Sequence, residues 1–374
     1  MGRETQSADG RSDDHNRRAE HVLAPCVRAA DGYSIGNMEI AQKVGSGGPV
    51  AVGPVQLDGA AMLAPMSGIS DLAMRRIARR FGAALAFSEM VAAETYLDGD
   101  AEAAMRAEGQ GVSPHAVQLV GCEPAAMAET ARRVEDAGAA IIDINMGCPA
   151  RRVSGALAGA ALMRDLDHAE RIVSAVVEAV SVPVTLKMRL GWDAASINAP
   201  ELAARAERAG ARMVTVHGRT RSQFYDGRAD WSAARAVVDA TSLPVVVNGD
   251  CASLEDARAM LAQSGARGVM IGRAAVGAPW LAGAVSRALA GDGPLRPPPL
   301  EERRAAAVEH LDWLLGKLGS RAGLRHARKH LAAYAEAARA PAPLRRELVT
   351  TDDPERARTL LARAFDGEAM ELAA

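Results

Sequence analysis

Short apolar segments of four to seven residues recur along the chain between residues 61 and 271. Between them lie longer stretches rich in Ala, Arg and Glu, whose apolar residues have helical spacing and several of which end in glycine. Short buried strands that alternate with amphipathic helices are typical of parallel βα units. The apolar segments are Ala61–Pro65, Ala84–Met90, His115–Val120, Ala140–Asn145, Pro183–Met188, Met213–His217, Pro244–Asn248 and Gly268–Ile271.

Eight consecutive βα units have the number and size expected of a TIM (β/α)8 barrel. The alternative is an open doubly wound sheet, which commonly binds a dinucleotide through a GxGxxG turn and an acidic residue. No predicted strand is followed by that combination. We therefore predict an α/β fold of the barrel class, preceded by a short hairpin of residues 50–52 and 55–57.

The composition changes on both sides of this repeating region. Residues 1–45 are charged, small and aperiodic, so we expect a disordered leader that carries no chemistry. A proline-rich stretch at residues 295–300 breaks the pattern, and two or three predicted helices then extend to about residue 365. We therefore predict a leader at 1–45, a barrel at 46–294 and a small all-helical domain at 295–374.

Charge, cysteine spacing and hydropathy exclude several classes of protein. The formal net charge is −2, so contact with nucleic acid would have to come from a local basic patch. Cys26, Cys122, Cys148 and Cys251 lie far apart with no CxxC pair, which argues against a disulfide framework and a structural metal site. No apolar run approaches the roughly 18 residues of a membrane span, and the N-terminus is too polar for a signal peptide. We therefore expect a cytoplasmic protein.

Polar or charged residues follow all eight predicted strands, at the ends that form the catalytic rim of barrel enzymes. Residues 248–250 (Asn-Gly-Asp) and 272–273 (Gly-Arg) follow the seventh and eighth strands, where barrels commonly bind phosphate. The glycines leave backbone N–H groups free to approach an anion, and Arg273 would add a charge-assisted contact. His217 taken alone is better explained as a core histidine, but in this setting it could donate to the same phosphate.

Two further rim residues favour a flavin over a simple phosphate ester. Lys187 would be a stranded charge in the barrel mouth without an anionic or electron-rich partner. A reduced flavin, with negative charge near N1 and O2, is such a partner, and Gln118 can pair with the amide edge of its ring. A sugar phosphate would also satisfy the phosphate site but explains Gln118 less well, so we predict bound FMN.

The fourth predicted strand ends in residues 143–149, Asp-Ile-Asn-Met-Gly-Cys-Pro. Gly147 permits an unusual backbone turn and Pro149 fixes φ, so Cys148 sits on a constrained strand end. A free cysteine is more often buried filler than a reactive group. Here, however, its strand end converges with seven others on one rim, so we treat Cys148 as a candidate reactive thiol.

Several motifs are specific when they are taken together. They are Leu63–Asp71, Asp143–Pro149 with Arg151–Val153, Leu186–Arg189, Val216–Arg221, Val247–Asp250 and Met270–Ala275. These motifs resemble those of the tRNA-dihydrouridine synthases, in particular the bacterial B-type branch. The resemblance extends from about residue 55 to about residue 365 and includes Arg325–His330, which is similar to the RNA-binding segment of that branch.

The resemblance implies an FMN-binding barrel that reduces the C5–C6 bond of selected tRNA uridines, with NADPH or NADH as electron donor. It implies Cys148 as the catalytic proton donor and Asn145 near the uracil. The residues implied for FMN binding are Pro65, Met66, Ser67, Gln118, Lys187, His217, Asn248, Gly249, Asp250, Gly272 and Arg273. The expected substrate contacts are Asn145, Arg189, Arg219, Arg325, Arg328 and Lys329. The chain departs from the family pattern at Ser67, Arg152 and Ser154, where alanine, lysine and asparagine are usual.

The thiol of Cys148 is better suited to give a proton than to attack as a nucleophile. Hydride addition at C6 of uracil leaves enolate-like charge, which C5 discharges by taking a proton. An unperturbed thiol has a pKa of about 8.5 and is mostly protonated at pH 7, so it can act as the general acid. A uridine inside folded RNA must be flipped out before it can reach a barrel mouth.

Arg325, Arg328 and Lys329 have i, i+3, i+4 spacing and share one face of a predicted helix. This face is either a phosphate-binding surface or a solvated basic face, and the barrel evidence favours phosphate binding. Aromatic residues make up 3% of the chain, so recognition by phosphates and shape is expected rather than base stacking. His326 and His330 are four residues apart but have no third ligand in the sequence, so we predict no metal site.

The expected partner is tRNA, without an obligate protein partner, and we expect a monomer. Two other functions stay open at this point. An FMN-dependent barrel could act on a free small molecule such as a dihydropyrimidine, and it would not need the basic helical tail. A non-catalytic RNA-binding module could retain FMN as a structural cofactor.

Overall fold

The structure, a computed structural model, describes residues 47–150, 153 and 157–366. The expected leader and the family departures at Arg152 and Ser154 lie outside the described residues. Two short strands, β1 (Ala51–Val52) and β2 (Val55–Gln56), pair antiparallel, which confirms the predicted hairpin. Eight parallel strands follow: β3 Ala61–Leu63, β4 Phe87–Ala92, β5 Ala116–Val120, β6 Ile141–Met146, β7 Val184–Arg189, β8 Met213–His217, β9 Val245–Asn248 and β10 Gly268–Ile271.

The eight parallel strands close into a barrel. From β4 to β10 each strand pairs with the next along the chain, and β10 pairs with the first strand, β3. On its other side β3 bridges to Ala86, just before β4, and the amide of Leu63 donates to the carbonyl of Leu85 at 2.8 Å. The strands are almost wholly buried, as expected for a parallel sheet covered by helices. The predicted TIM barrel is therefore confirmed.

The connecting helices form the outer layer and begin and end at recognisable signals. Asp71 caps the first of them by accepting from the amide of Met74 at 2.9 Å, and Ser253 caps another in the same way. These helices are α1 Leu72–Arg80, α2 Ala93–Leu97, α3 Ala101–Ala107, α4 Pro124–Asp136, α5 Leu166–Ala179, α6 Ala199–Arg208, α7 Ala234–Ala240, α8 Leu254–Ser264 and α9 Leu281–Ala290, with 3-10 turns at Gly159–Arg164 and Arg273–Ala275. None of the helices in the described parts of the chain is both long and apolar enough to span a lipid bilayer.

Three helical segments follow the barrel: α10 (Leu300–Ala337), α11 (Ala342–Thr350) and α12 (Pro354–Ala364). Segment α10 contains a break at Gly319, whose φ of 75° is readily adopted only by glycine. The chain folds back there, since the rings of His310 and His330 on either side of the break are 4.4 Å apart. These segments share a separate apolar core with Trp280 and with Ile77 of α1, which fixes the tail against the barrel.

A buried polar cluster joins the tail to the barrel, and we call it the Asp71 joint. The Asp71 carboxylate lies 3.0 Å from Nε2 of His310 and 3.5 Å from Nε2 of His330, and His310 Nδ1 lies 3.0 Å from the Tyr334 hydroxyl. Burial would raise the pKa of Asp71, but the charge and hydrogen bond of His310 and the charge of His330 hold it well below its usual range. Burial, followed by the charge of His310, holds the pKa of His330 well below that of a free histidine.

The Asp71 joint supplies a third candidate metal ligand that the sequence did not reveal. The ligand atoms of Asp71, His326 and His330 all lie within 4.8 Å of one another. However, one Asp71 oxygen already accepts from the amide of Met74 and the other from His310. We therefore interpret the cluster as a joint between the two parts of the molecule.

Candidate active site

A cavity of about 900 Å³ opens at the carboxyl ends of the barrel strands. Its size is within the usual range for pockets that bind cofactors. Every residue predicted to bind FMN lines it except Gln118, and Asn145, Arg189 and Cys148 line it as well. Among the predicted residues, those in its wall are Pro65, Met66, Ser67, Asn145, Cys148, Lys187, Arg189, His217, Asn248, Gly249, Asp250, Gly272 and Arg273.

One end of the cavity combines a tightly packed glycine with paired charged side chains. Gly249 has a φ of 120°, and a Cβ atom there would lie 2.7 Å from Ala229 Cβ and 2.7 Å from His217 Cδ2. Asp250 bridges two arginines, with its oxygens 2.5 Å from Arg219 and 2.8 Å from Arg273. The buried backbone at Gly249 is therefore held beside a fixed pair of guanidinium groups.

The electrostatics of this end favour a doubly charged anion such as a phosphate. His217 is buried, and its pKa is held well below the free value by burial first and then by the charges of Lys187, Arg189, Arg219 and Arg273. Asp250, whose pKa is kept low against burial by its bond with Arg219, supplies one negative charge to this group of four cations. The net positive field is therefore strong, and His217 is neutral near pH 7.

Lys187 faces the cavity from β7. Its ammonium donates to Asn248 Oδ1 at 3.0 Å, and Asn248 Nδ2 donates in turn to the carbonyl of Met270 at 2.8 Å. Burial, reinforced by the charge of Arg189, lowers the pKa of Lys187 to about 8. Lys187 is still mostly charged at pH 7, and the field that lowers its pKa would be relieved by a bound anion.

Cys148 lies just beyond β6, half-buried in the cavity wall. Its backbone amide donates to Asn145 Oδ1 at 2.9 Å, and the amide of Gly147 donates to the same oxygen at 3.1 Å. Arg189 Nε holds the carbonyl of Gly147 at 2.9 Å. Burial raises the pKa of the Cys148 thiol, against the amide of Ala150 and the nearby cationic side chains. The thiol therefore keeps its proton at neutral pH.

A row of buried polar side chains lies beneath the cavity. Thr185, Asp143 and Gln118 are side by side in register on β7, β6 and β5. The Thr185 hydroxyl donates to Asp143 at 2.5 Å, and Gln118 Nε2 donates to the other carboxylate oxygen at 2.7 Å. Gln118 Oε1 accepts from Asn145 Nδ2 at 2.8 Å. Both ends of the Gln118 amide are thus engaged within the protein.

Arg189 and Arg219, the two arginines predicted to contact the substrate, donate hydrogen bonds to backbone carbonyls of the protein. Arg189 Nη1 donates to the carbonyls of Thr220 and Phe224 at 2.7 and 2.8 Å. Arg219 is buried and donates to the carbonyls of Asp226 and Gly227 as well as to Asp250. These contacts fix the loop after β8 against the cavity, so a structural role for both side chains is evident from the geometry.

The basic residues of the tail point in different directions. Arg325 is exposed, whereas Arg328 pairs with Asp352 at 2.7 Å. The Lys329 ammonium lies 2.8 Å from the position that a Cβ atom on Gly68 would occupy, beside the cavity loop. Burial lowers the pKa of Lys329, and the charge of Glu89 opposes that effect. Lys329 is thus the tail cation that lies nearest to the barrel rim among these three.

Several residues of the site were not predicted from the sequence. Tyr225 lies over the guanidinium groups of Arg189 and Arg273, with 5.6 and 4.9 Å from carbon to ring centroid, and is 54% exposed. An aromatic pair, Phe224-Tyr225, in a chain with 3% aromatic residues was a usable signal. Asp143 and Thr185 gave no such signal in the sequence, because the role of a polar residue inside a strand can be assigned only when its neighbours on the adjacent strands are known.

Comparison with known proteins places these motifs in one family. A family model described as dihydrouridine synthase (Dus) matches residues 62–370. A probable tRNA-dihydrouridine synthase of Rhodobacter capsulatus is 51% identical over 318 residues, which cover 84% of this chain and 98% of that protein. The tRNA-dihydrouridine synthase B of Xanthomonas campestris pv. campestris is 42% identical over 316 residues, covering 84% of this chain and 95% of that protein.

Solved structures with low identity share the fold. Histamine dehydrogenase from Rhizobium sp. 4-9 superposes with a TM-score of 0.50 at 14% identity, covering 74% of this chain and 51% of its own. The 6-hydroxypseudooxynicotine amine oxidase of Pseudomonas geniculata N1 gives a TM-score of 0.51 at 13% identity, covering 71% of this chain and 53% of its own. The chain thus spans about half the length of these structures and shares their barrel. By its motifs and by the extent of the sequence match, the chain belongs to the dihydrouridine synthase family.

Proposed function

We propose that this protein is a tRNA-dihydrouridine synthase, which reduces the C5–C6 bond of uridine in tRNA with bound FMN and with NADPH or NADH as electron donor. The observation that carries the proposal is a half-buried thiol, Cys148, with a raised pKa in the wall of a cationic cavity at the barrel rim. A protonated thiol beside a flavin-sized cavity is the arrangement that a reduction ending in proton transfer requires.

The residues present fit FMN. Its phosphate would occupy the end of the cavity at Gly249, Gly272 and Arg273, where Arg219 and Arg273 supply positive charge and no atom lies nearer than 3.7 Å to a Cβ position on Gly272. Lys187 would lie beside the electron-rich part of the ring, and residues 65–67 complete the wall. Gln118 lies beneath the wall, and its side-chain amide is already bonded to Asp143 and Asn145. Any contact of Gln118 with FMN would therefore use only the remaining hydrogen-bonding capacity of that amide. When bound, the flavin would supply the hydride that adds to C6 of uracil.

The remaining steps belong to the chain's own side chains. The Cys148 S–H would give its proton to C5, so that uracil gains one hydride and one proton while the nicotinamide donor is oxidised. The resulting thiolate is reprotonated from solvent, because its raised pKa favours the thiol near pH 7. Asn145 Nδ2 is bonded to Gln118 and its Oδ1 to the Cys148 amide, so we assign it the role of fixing the thiol and bordering the uracil.

We assign FMN binding to residues 46–294 and tRNA binding to residues 295–374. The position of Lys329 beside the barrel loop, with exposed Arg325 four residues earlier, supports a path for the RNA backbone from the tail to the cavity. We also propose that the protein acts in the cytoplasm, where tRNA is found, as a monomer without an obligate protein partner.

Purified protein incubated with unmodified tRNA and NADPH tests the proposal. We expect nucleoside mass spectrometry to find uridine that has gained two hydrogens, and a yellow protein with an FMN absorption spectrum. Comparison of tRNA from cells with and without the gene would identify the position. Unchanged tRNA, absence of tRNA binding in a gel-shift assay and turnover of a free dihydropyrimidine would favour the small-molecule oxidoreductase instead. Stable FMN and tRNA binding without any turnover would favour the non-catalytic module.

A further inference from the structure

The buried row beneath the cavity has a defined hydrogen-bond polarity. An ionised carboxylate only accepts hydrogen bonds and a backbone amide only donates them. At one end Asp143 accepts from Gln118 Nε2 at 2.7 Å, and at the other the amide of Cys148 donates to Asn145 Oδ1 at 2.9 Å. Between them, Asn145 Nδ2 donates to Gln118 Oε1 at 2.8 Å. The hydrogen bonds at the two ends of the row are therefore satisfied by the same orientation of the Gln118 and Asn145 side-chain amides.

That agreement depends on the ionised form of Asp143. If the carboxyl group turned a proton toward Gln118, the Gln118 amide would have to reverse and present its NH2 group to Asn145. Asn145 would reverse in turn and place its own NH2 group against the donating amides of Gly147 and Cys148. Two donors would then face each other at the buried Asn145 side chain, which is costly because a buried donor without an acceptor has lost its hydration.

We propose that Asp143, held by Thr185, is a positioning residue that orients the Cys148 strand end through Gln118 and Asn145. The inference rests on the proposed function for its catalytic consequence, since it is the Cys148 thiol that would meet the uracil. It goes beyond that function because it gives Asp143, Thr185 and Gln118 a role that involves no contact with substrate. Burial raises the pKa of Asp143 to about 6, against the hydrogen bonds from Thr185 and Gln118 and the charge of Lys187, so protonation of the row is expected in mildly acidic solution.

Thr185→Val tests the proposal, because it removes one of the two donors to the carboxylate while keeping the shape of the side chain. The Asp143 pKa should then rise further above about 6. The catalytically competent form is the ionised one, so turnover should fall as pH is lowered, at a higher midpoint in Thr185→Val than in the wild type. Asp143→Asn, whose amide can face Gln118 with either atom, should lower turnover roughly tenfold with FMN still bound.

Thr215→Val is the matched control. Thr215 is also a fully buried barrel threonine on the adjacent strand, and its hydroxyl has no hydrogen-bond partner within the described part of the chain. The same substitution there should leave the pH midpoint unchanged. A second readout needs neither tRNA nor turnover: alkylation of Cys148 by iodoacetamide, followed by peptide mass spectrometry with Cys122 as internal reference. Release of the Cys148 amide should speed that alkylation several-fold in Asp143→Asn, and in Thr185→Val at a pH between the Asp143 pKa of the wild type and that of the variant, but not in Thr215→Val.

The outcomes separate the two proposals. If the wild type forms no dihydrouridine but Thr185→Val and Asp143→Asn change Cys148 alkylation, the proposed function fails and the positioning role stands. If both variants match Thr215→Val in pH midpoint and in alkylation, the positioning role is overturned whatever the enzyme does. A shifted midpoint together with faster alkylation in the row variants alone would support it.

Discussion

Cys148 keeps its proton because burial disfavours the thiolate, and the cations nearby do not reverse that effect. The proposed general acid is therefore present throughout the neutral range and is lost only as pH rises through the raised pKa of the thiol. An ordinary thiol, with a pKa of about 8.5, would lose its proton earlier. The Cys148 thiol is thus exposed to the cavity and still keeps its proton near pH 7.

Cys148→Ala should bind FMN and accept electrons from NADPH while forming no dihydrouridine, because only the proton donor is removed. Flavin absorbance under anaerobic conditions measures the first property and mass spectrometry of tRNA the second. Cys122→Ala is the control, since Cys122 is also a half-buried free thiol but lies outside the cavity wall. Full dihydrouridine formation by Cys148→Ala would remove the assigned role.

Gly249→Ala should abolish FMN retention during purification, measured as the ratio of flavin to protein absorbance. The added methyl group would meet Ala229 and the His217 ring at 2.7 Å, so it would displace the loop or the ring that borders the expected phosphate site. Gly138→Ala is matched for backbone strain, because Gly138 has a φ of 100° but nothing within 4 Å of a Cβ atom. It should cost about 1–3 kcal/mol of stability and leave the flavin bound. Equal flavin loss in both variants would point to general destabilisation.

Residue types at strand ends could be predicted from the sequence because a barrel gathers those ends at one rim whatever the details of packing. Gln118 shows where that reasoning stops. It lies within β5, beneath the cavity rather than in its wall, and which atoms its amide bonds depends on Asp143 and Asn145 on the neighbouring strand. Such lateral contacts join residues that are distant along the chain, and no local pattern encodes them.

At the scale of elements, the helical spacing of Arg325, Arg328 and Lys329 correctly places them on one segment, yet their surroundings differ. The i, i+3, i+4 rule describes one helix in isolation. The break at Gly319 folds this segment back, so Lys329 meets the barrel loop at Gly68, Arg328 pairs with Asp352 and Arg325 faces solvent. The strands themselves were predictable to within a few residues, since their periodicity and burial are local.

Variants of the tail should separate affinity from turnover. Arg325→Ala should weaken tRNA binding and reduce the magnitude of the salt slope of log K by about one, because one phosphate contact is lost. Lys329→Ala should also lower turnover at saturating tRNA, because its ammonium lies beside the cavity loop. Binding isotherms at several salt concentrations and single-turnover rates measure the two effects. Lys317→Ala removes another cation of the same helical segment, one that is paired with Glu108. This control variant should change neither tRNA affinity nor turnover.

At the scale of the whole molecule, the Asp71 joint ties the tail to the barrel through groups that titrate below neutrality. The folded pKa values of Asp71 and His330 are both depressed, so the unfolded chain binds more protons than the folded one as pH falls. Stability should therefore decline below about pH 6.5 through His330 and further below about pH 4 through Asp71. Because these partners are far apart in sequence, the joint was not predictable from it.

Urea unfolding at about pH 7.5 and pH 5.5 tests this link, since His330 must gain a proton on unfolding between these values. His330→Gln should show a smaller loss of unfolding free energy between the two conditions than the wild type. His168→Gln serves as the control, because His168 contacts the carbonyl of Cys122 and not the joint. An unaltered pH dependence in His330→Gln would mean that this histidine does not titrate with unfolding.

The pairing of β3 with β10 has a consequence for how the protein is made. The first strand of the barrel leaves the ribosome long before the last, and its register partner Val269–Ile271 does not exist until most of the chain has been synthesised. The expected phosphate contacts at Gly272 and Arg273 follow that last strand immediately. A nascent or truncated chain that lacks β10 is therefore expected not to bind flavin. Bound flavin would then indicate that the barrel has closed.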